Sequence, residues 1–326
     1  MNITVIAEYQ KNPAEGINVV SRDLIDELRT SGYIVRIIKP KYILIYLFRL
    51  IFFPAKFTIF THGPGIRTVF ATWLLRNFGR TRLIWIATRP DISRVSKWLT
   101  GRKTAHHIVC NRIRKDLTAV AIDAKVIIQP IGINPRRINE ESDNKLWKNL
   151  KKSGVPLAVH VGHLRQNRGL ENLIAVKELL GEQIEIVVQA SPYFDTDKEV
   201  ESSLVQAGIH VSKIFIPMIG SVYRSCDIYL FPVPPSTEGA IELPLSVLEA
   251  LACKTPVIST PFGALTQTLR DTKGISFAEP ANFAQAVSSC LNVAIPVKPE
   301  GLPFQCNSER LFERLLELIA DKPCKN

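Results

Sequence analysis

Two stretches of this chain concentrate side chains that can do chemistry. The first is Val161-Gly162-His163-Leu164-Arg165-Gln166-Asn167-Arg168-Gly169-Leu170. A β-branched run ends in glycine, a short basic loop follows, and a helical pattern opens. A helix N-terminus presents unpaired N–H groups and a partial positive charge, so strand, basic loop and helix in that order make an anion site. His163, Arg165 and Arg168 could there neutralise a diphosphate, or simply form a solvated surface loop. The second stretch runs from Glu238 to Ile258. A helix starting near Pro244 carries Glu249 among apolar neighbours, and Glu242 sits in the preceding loop. One carboxylate in a loop and one on the adjoining helix suit acceptance of hydrogen bonds from vicinal sugar hydroxyls. Glu249 could instead be a partly exposed helix residue, though its apolar flanks make that reading less comfortable.

These residues need elements to position them, and the chain supplies two series. In the first half, strand patterns at Asn2–Ala7, Ile34–Lys39, Phe57–Thr61, Leu83–Thr88, His107–Cys110 and Val126–Gln129 alternate with helical patterns. The latter fall at Val20–Leu28, Thr68–Asn77, Ser93–Leu99 and Ile113–Val120. Residues 138–155 are polar and charge-mixed, and the rhythm then restarts. Strands are expected at Leu157–Val161, Ile184–Gln189, Lys213–Ile216, Ile228–Pro232, Pro256–Ser259 and Gly274–Phe277. Helices are expected at Leu170–Leu180, Lys198–Gln206, Ser246–Ala252, Leu265–Arg270, Phe283–Leu291 and Glu309–Ile319. Strands alternating with helices imply βαβ units and parallel sheets covered on both faces. The organisation read here is a first domain over 1–140, a linker over 141–155, a second domain over 156–305 and a terminal helix in 306–326. Two doubly wound halves make a cleft at the carboxyl ends of their strands the expected site.

Composition narrows the function classes. With 326 residues, 46% hydrophobic and 22% charged, the chain is of ordinary globular type, not fibrous, disordered or a multi-span membrane protein. The net charge of +11 is lopsided: residues 1–140 carry 23 Lys/Arg against 9 Asp/Glu, and residues 141–326 carry 18 against 21. The first half therefore suits an anionic partner, or has a generally basic solvated surface. Six cysteines without C-x-x-C spacing suit a reduced compartment, and the N-terminus runs straight into a strand pattern without a signal-peptide layout. A cytoplasmic protein is expected, peripheral to the membrane if its basic half meets lipid. The run ILIYLFRLIFF over 43–53 is too short to span a bilayer as a helix. It reads either as a buried helix or as an interfacial one flanked by Lys41, Arg49 and Lys56. The His106-His107 and His160/His163 pairs lack nearby Cys, Asp or Glu at ligand spacing, so no metal site is expected. No helix-turn-helix, RRM or zinc-finger signature supports nucleic acid as a partner. Gly63-Pro64-Gly65-Ile66-Arg67-Thr68 lacks the third glycine of a dinucleotide fingerprint, which argues against a nicotinamide oxidoreductase.

Taken together, VGHLRQNRGLENL and SCDIYLFP…ELPLSVLEALACKTPVISTPFGAL resemble the two blocks of retaining glycosyltransferase family 4, strongest over 156–278. The resemblance implies the GT-B fold: two Rossmann-like doubly wound domains facing across a cleft, the C-terminal helix crossing back to the first. It implies a nucleotide-diphosphate sugar as donor and a glycan or lipid-linked acceptor, with no cofactor and no metal. Arg168 stands for the family's diphosphate-contacting lysine, and His163 replaces its arginine, with Arg165 nearby. Glu249 matches the ribose-binding glutamate. Glu242, seven positions earlier instead of the usual eight, stands in for the other. Gly16, Gly162, Met218 and Leu248 join the implied donor contacts. His62 would position a sugar or merely sit satisfied at a strand end; Arg89 would bind phosphate or line the cleft. The expected catalytic set is thus Arg168, Glu242, His62 and Arg89. The displaced glutamate and His163 also leave open a catalytically silent GT-B protein serving as a nucleotide-sugar-binding subunit or scaffold.

Overall fold

The computed structural model describes residues 1–9, 16–61, 66–88, 105–112, 124–135, 138, 154–192, 195–216, 218–237, 240–292 and 299–320. The chain divides into two compact units. One comprises Met1–Gly132, Glu238–Leu243 and Gln305–Asn326; the other comprises Ile133–Thr237 and Pro244–Phe304.

The first unit opens with β1 (Asn2–Ile6), α1 (Gly16–Thr30), β2 (Ile34–Ile38), α2 (Ile43–Phe52) and β3 (Phe57–Phe60). It continues through α3 (Ile66–Phe78), β4 (Arg82–Ala87), β5 (His107–Cys110) and β6 (Lys125–Ile128). All six strands are parallel in the order β2-β1-β3-β4-β5-β6. A parallel strand is buried on both faces, and β3 is buried throughout and β4 from Leu83 onward. Phe60, Leu83, Trp85 and Ile108 from the sheet pack against Val69 and Leu75 of α3. Helix α2 contributes only one stripe to this core, Ile43, Leu47, Leu50 and Ile51.

The second unit contains β7 (Leu157–Gly162), α4 (Glu171–Leu180), β8 (Glu185–Ala190), α5 (Lys198–Gln206), β9 (His210–Ser212) and α6 (Gly220–Ser225). After these come β10 (Ile228–Phe231), α7 (Leu245–Ala252), β11 (Val257–Ser259), α8 (Leu265–Leu269), β12 (Ile275–Phe277) and α9 (Phe283–Asn292). Its parallel order is β12-β11-β10-β7-β8-β9. Chain direction across the sheet therefore reverses between β7 and β10, and in the first unit between β1 and β3. Loops leaving the carboxyl ends of such strand pairs flank the ligand crevice of open α/β sheets.

The last helix, α10 (Ser308–Ile319), returns to the first unit and packs on α1. Its Leu311, Leu315, Leu318 and Ile319 recur at helical spacing and are buried. The backbone before it is locked in place: a Cβ on Gly132 would fall 2.2 Å from the Asn307 carbonyl carbon. Gln129 Nε2 donates to the Gln305 carbonyl at 2.9 Å.

Sequence expectation and structure part at a few places. The strand expected at Lys213–Ile216 lies at His210–Ser212, where Val187 pairs with His210. Ile214 and Ile216 supply a β-branched signal, but Ile214 is exposed past the end of the strand, where Gln189 Nε2 donates to its carbonyl at 2.8 Å. Helix α6 carries no apolar period that announces it. Residues 240–243, expected in the second domain, group with the first unit. The helices expected at Ser93–Leu99 and Ile113–Val120 and the linker through residue 153 lie outside the described residues.

Candidate functional site

At the carboxyl end of β7 the chain makes the basic loop. Gly162 is required there by its neighbour: a Cβ would lie 2.5 Å from Nε2 of His160. His160 is buried, stacks on Tyr229, and donates Nδ1–H to the Leu230 carbonyl at 2.9 Å. A carbonyl only accepts, so this bond fixes the tautomer and leaves Nε2 a bare acceptor. Burial, with Arg168 and His163 adding positive charge nearby, pulls the His160 pKa down to about 4 despite the Leu230 bond.

The loop itself is tightly held. Leu164 and Leu170 anchor it in the core. The Arg168 amide donates to the Arg165 carbonyl at 3.1 Å, closing a 3₁₀ turn over Gln166–Arg168. Gly169 then takes a left-handed conformation at φ +68°, with space for nothing larger: a Cβ would sit 2.2 Å from the Pro232 carbonyl oxygen. Thr237 Oγ1 donates to the Asn167 carbonyl at 2.9 Å. The loops after β7 and β10, neighbouring strands, are thereby clamped together. His163 is pulled down to about 4, first by burial and then by Arg168 and Arg165. Those two guanidiniums thus share one electrostatic neighbourhood with His163, and helix α4 begins immediately after.

Glu249 lies on α7, the helix that follows β10. Its carboxylate is buried and accepts the Tyr223 hydroxyl at 3.1 Å. Burial and the Glu249 charge raise the Tyr223 pKa well above its usual value, so the phenol stays a donor. Tyr223 meets Tyr229 edge-on with ring centroids 5.4 Å apart, and the Tyr229 hydroxyl reaches the Val161 carbonyl at 3.4 Å. An aromatic pair therefore ties the Glu249 helix to the strand end that launches the basic loop. Tyr223 is a residue the sequence reading passed over, because α6 gave no helical signal. Met218 is half-buried and caps α6, its carbonyl accepting the Ser221 amide at 3.1 Å and hydroxyl at 2.8 Å. Leu248 is fully buried in the second unit.

In the first unit, Gly16 opens α1 and is half-buried, whereas His62 and Arg89 lie outside the described residues. Glu242 is completely buried. Its amide donates to the Thr88 carbonyl at 2.7 Å, and its Oε1 pairs with Arg112 Nε. Arg112 lies two residues past the end of β5, so the segments after β4 and β5 hold Glu242 from both sides. The sequence reading missed Arg112; its position one residue past a strand-end asparagine is the only local signal. Structure thus brings Arg165, Arg168 and His163 together, sets Glu249 on the helix after the adjoining strand, and gives Glu242 an ion partner within the first unit.

Residues 155–293 match the glycosyl transferases group 1 family. That span contains both the basic loop and the Glu249 helix. A Bacillus subtilis (strain 168) protein named as a teichuronic acid biosynthesis glycosyltransferase, TuaC, is 33% identical over 147 residues, covering 43% of this chain and 34% of that protein. The chain's match therefore spans about a third of the length of that relative. Among solved structures, sucrose-phosphate synthase from Thermosynechococcus elongatus aligns with a TM-score of 0.74 at 16% identity, covering 98% of each chain. Anabaena Alr3699/HepE in complex with UDP-glucose aligns at 0.70 and 12% identity, covering 98% of this chain and 100% of that one. These likenesses establish the GT-B fold.

Proposed function

We propose that this protein is a nucleotide-sugar-dependent glycosyltransferase of the retaining family 4 type, acting on a glycan or lipid-linked acceptor at the cytoplasmic face of a membrane. The observation that carries the reading is the rigid cationic loop His163–Arg168 at the strand reversal of the second unit, coupled through Tyr229 and Tyr223 to Glu249. The family match over the same residues and the UDP-glucose held by HepE support it.

In this reading the donor ribose hydroxyls meet Glu249 and the base lies near Met218. The diphosphate lies among Arg168, Arg165 and the amides opening α4. Cleavage breaks the bond from the anomeric carbon to the diphosphate oxygen, and the leaving group takes the electron pair. The acceptor oxygen bonds to the same face of the sugar, and its proton passes to the departing phosphate. Charge grows on the diphosphate as the bond lengthens, so fixed cations stabilise the transition state more than the ground state. One such donor contributes about 3 kcal/mol. Arg168 is a planar fork, suited to two phosphate oxygens at once. Side-chain cations do the neutralising, and activity should survive a chelator.

The test is a thermal-shift screen of nucleotide diphosphates and their sugars, followed by turnover of the stabilising donor with membranes. Arg168→Ala should lower kcat/KM about a hundredfold or more. Absence of any stabilising donor, or an Arg168→Ala enzyme equal to the parent, overturns the reading.

One observation favours a second reading, a nucleotide-sugar-binding subunit without turnover. Glu242, the stand-in for the family's first glutamate, is buried and already paired with Arg112. Calorimetric donor binding without transfer or hydrolysis under any acceptor condition would select that reading.

A further inference from the structure

The face of α2 turned away from the core is also largely apolar, with Arg49 its one charge. Ile43, Leu47, Leu50 and Ile51 supply the inner stripe. Leu44, Phe48 and Phe52 recur at i, i+4 and i+8 on the outer side with Ile45 beside them, at about 100° of rotation per residue. Ile45 is 74% exposed, Phe48 66%, Phe52 60% and Phe53, just past the helix, 68%. The Phe48 and Phe52 rings touch, with centroids 4.3 Å apart, so the stripe is continuous. Helix α3 packs against α2 and adds exposed Phe70 and Phe78. Exposed apolar residues on a monomer are normally scattered singly, whereas a contiguous patch marks an interaction surface.

Charge identifies the occupant. Residues 28–90 contain 11 Lys/Arg and no Asp/Glu. Lys41, Arg49 and Lys56 stand exposed around α2, and Arg67 and Arg80 stand exposed at the ends of α3. A second copy of the chain would press this basic collar against itself, at a repulsive cost. Anionic lipid offers the reverse: negative headgroups for the lysines and arginines and an acyl boundary for the aromatic stripe. Helix α2 is too short to span a bilayer but long enough to lie in its plane.

We propose that the outer face of α2, extended by α3, docks this protein on an anionic lipid bilayer. Ile45, Phe48, Phe52 and Phe53 enter the headgroup–acyl boundary, and Lys41, Arg49 and Lys56 meet the lipid phosphates. This surface stands independently of the donor chemistry and touches the proposed transfer only by bringing the protein to a membrane-borne acceptor.

The test is co-sedimentation of the full chain with vesicles of phosphatidylcholine alone and of phosphatidylcholine mixed equally with phosphatidylglycerol. Mixed vesicles should bind the protein and neutral ones should not, and binding should fall as salt rises. Replacing the exposed trio, Ile45→Ser with Phe48→Ser and Phe52→Ser, should weaken binding about tenfold or more even at low salt. Charge reversal of Lys41 and Arg49 to Glu, a second variant confined to exposed side chains, should abolish the preference for anionic lipid. Melting temperature and the thermal shift with UDP-glucose should be those of the parent in both variants, which separates loss of docking from loss of donor binding. Equal binding to both vesicle types, or a Ser variant that binds like the parent, overturns the proposal. A concentration-dependent dimer that the Ser variant lacks, without vesicle binding, overturns it in favour of self-association.

Discussion

Tyr223, on α6, donates its hydroxyl to Glu249, on α7, across 3.1 Å within the buried interior of the second unit. Because the phenol pKa is raised, this donor persists at any ordinary pH. Tyr223→Phe should keep the ring packing on Tyr229 while removing the bond. Unfolding in urea should show a loss of about 1–3 kcal/mol, the cost of leaving a buried acceptor short of a donor. Donor affinity should fall with it, since the carboxylate loses its orientation.

Arg112 and Glu242 form the corresponding pair in the first unit. Arg112→Ala leaves a carboxylate with no exposure uncompensated, which typically costs about 3–5 kcal/mol. Combining it with Glu242→Gln should recover much of the loss, because an amide tolerates burial better than an unpaired charge. A double-mutant cycle of denaturant midpoints reads the coupling. Additive losses would mean that the pair contributes nothing as a pair.

Gly169 and Gly32 both have positive φ, +68° and +82°, but only Gly169 is hemmed in, by the Pro232 carbonyl. Gly32→Ala should cost about 1 kcal/mol, the backbone penalty alone. Gly169→Ala must also move the basic loop away from the loop after β10. It should destabilise by several times as much and blunt the thermal shift produced by a donor. Equal melting temperatures for the two variants would show that the clamp is not rigid.

Acid should weaken the fold before its carboxylates protonate. His160 and His106 are held to about 4 in the folded chain, chiefly by burial, while the unfolded chain titrates near 6.5. The unfolded state therefore takes up protons first. The stabilisation is complete above about pH 6.5 and is lost as pH falls towards 4. His160 alone accounts for on the order of 2–3 kcal/mol across that window, and half-buried His106 for less. Urea midpoints at pH 7 and 5 check this, with His160→Gln flattening the difference.

His163 behaves differently once an anion arrives. A diphosphate beside it opposes the repulsion from Arg168 and Arg165 and raises its pKa from about 4. UDP-glucose, whose diphosphate does not titrate in this range, should bind more tightly as pH falls from about 7 to about 5, with proton uptake. Calorimetry in two buffers of unlike ionisation heat measures that uptake, and His163→Gln should show none.

Much of this was legible in the residues because local rules carry it. Helix α5 begins after Asp197, whose carboxylate accepts the Glu199 amide at 3.1 Å, and a polar cap before an amphipathic run is a local signature. Parallel strands announce themselves by two-sided burial, as β3 and β4 do. The expected cations of the basic loop come together because they share one turn. Other features depend on distant partners. Arg112 and Glu242 are 130 residues apart in sequence, and no period links them. Tyr223 sits on a six-residue helix, too short for an apolar repeat. β9 stops at Ser212 although β-branched residues continue past it, so the β-branched signal alone does not place the end of the strand. Helix α2 carries apolar residues on both faces and a single charge, Arg49, so composition could not say which side would be covered.

The return of α10 and of residues 240–243 to the first unit constrains how the chain can be made. A ribosome that has delivered residues 1–132 has not yet supplied the helix that covers α1 or the segment that meets Arg112. The segment 1–132 is thus completed only by residues translated during and after the second unit. Expressed alone, it should be insoluble, and supplying 305–326 as a separate peptide would not replace the missing middle segment.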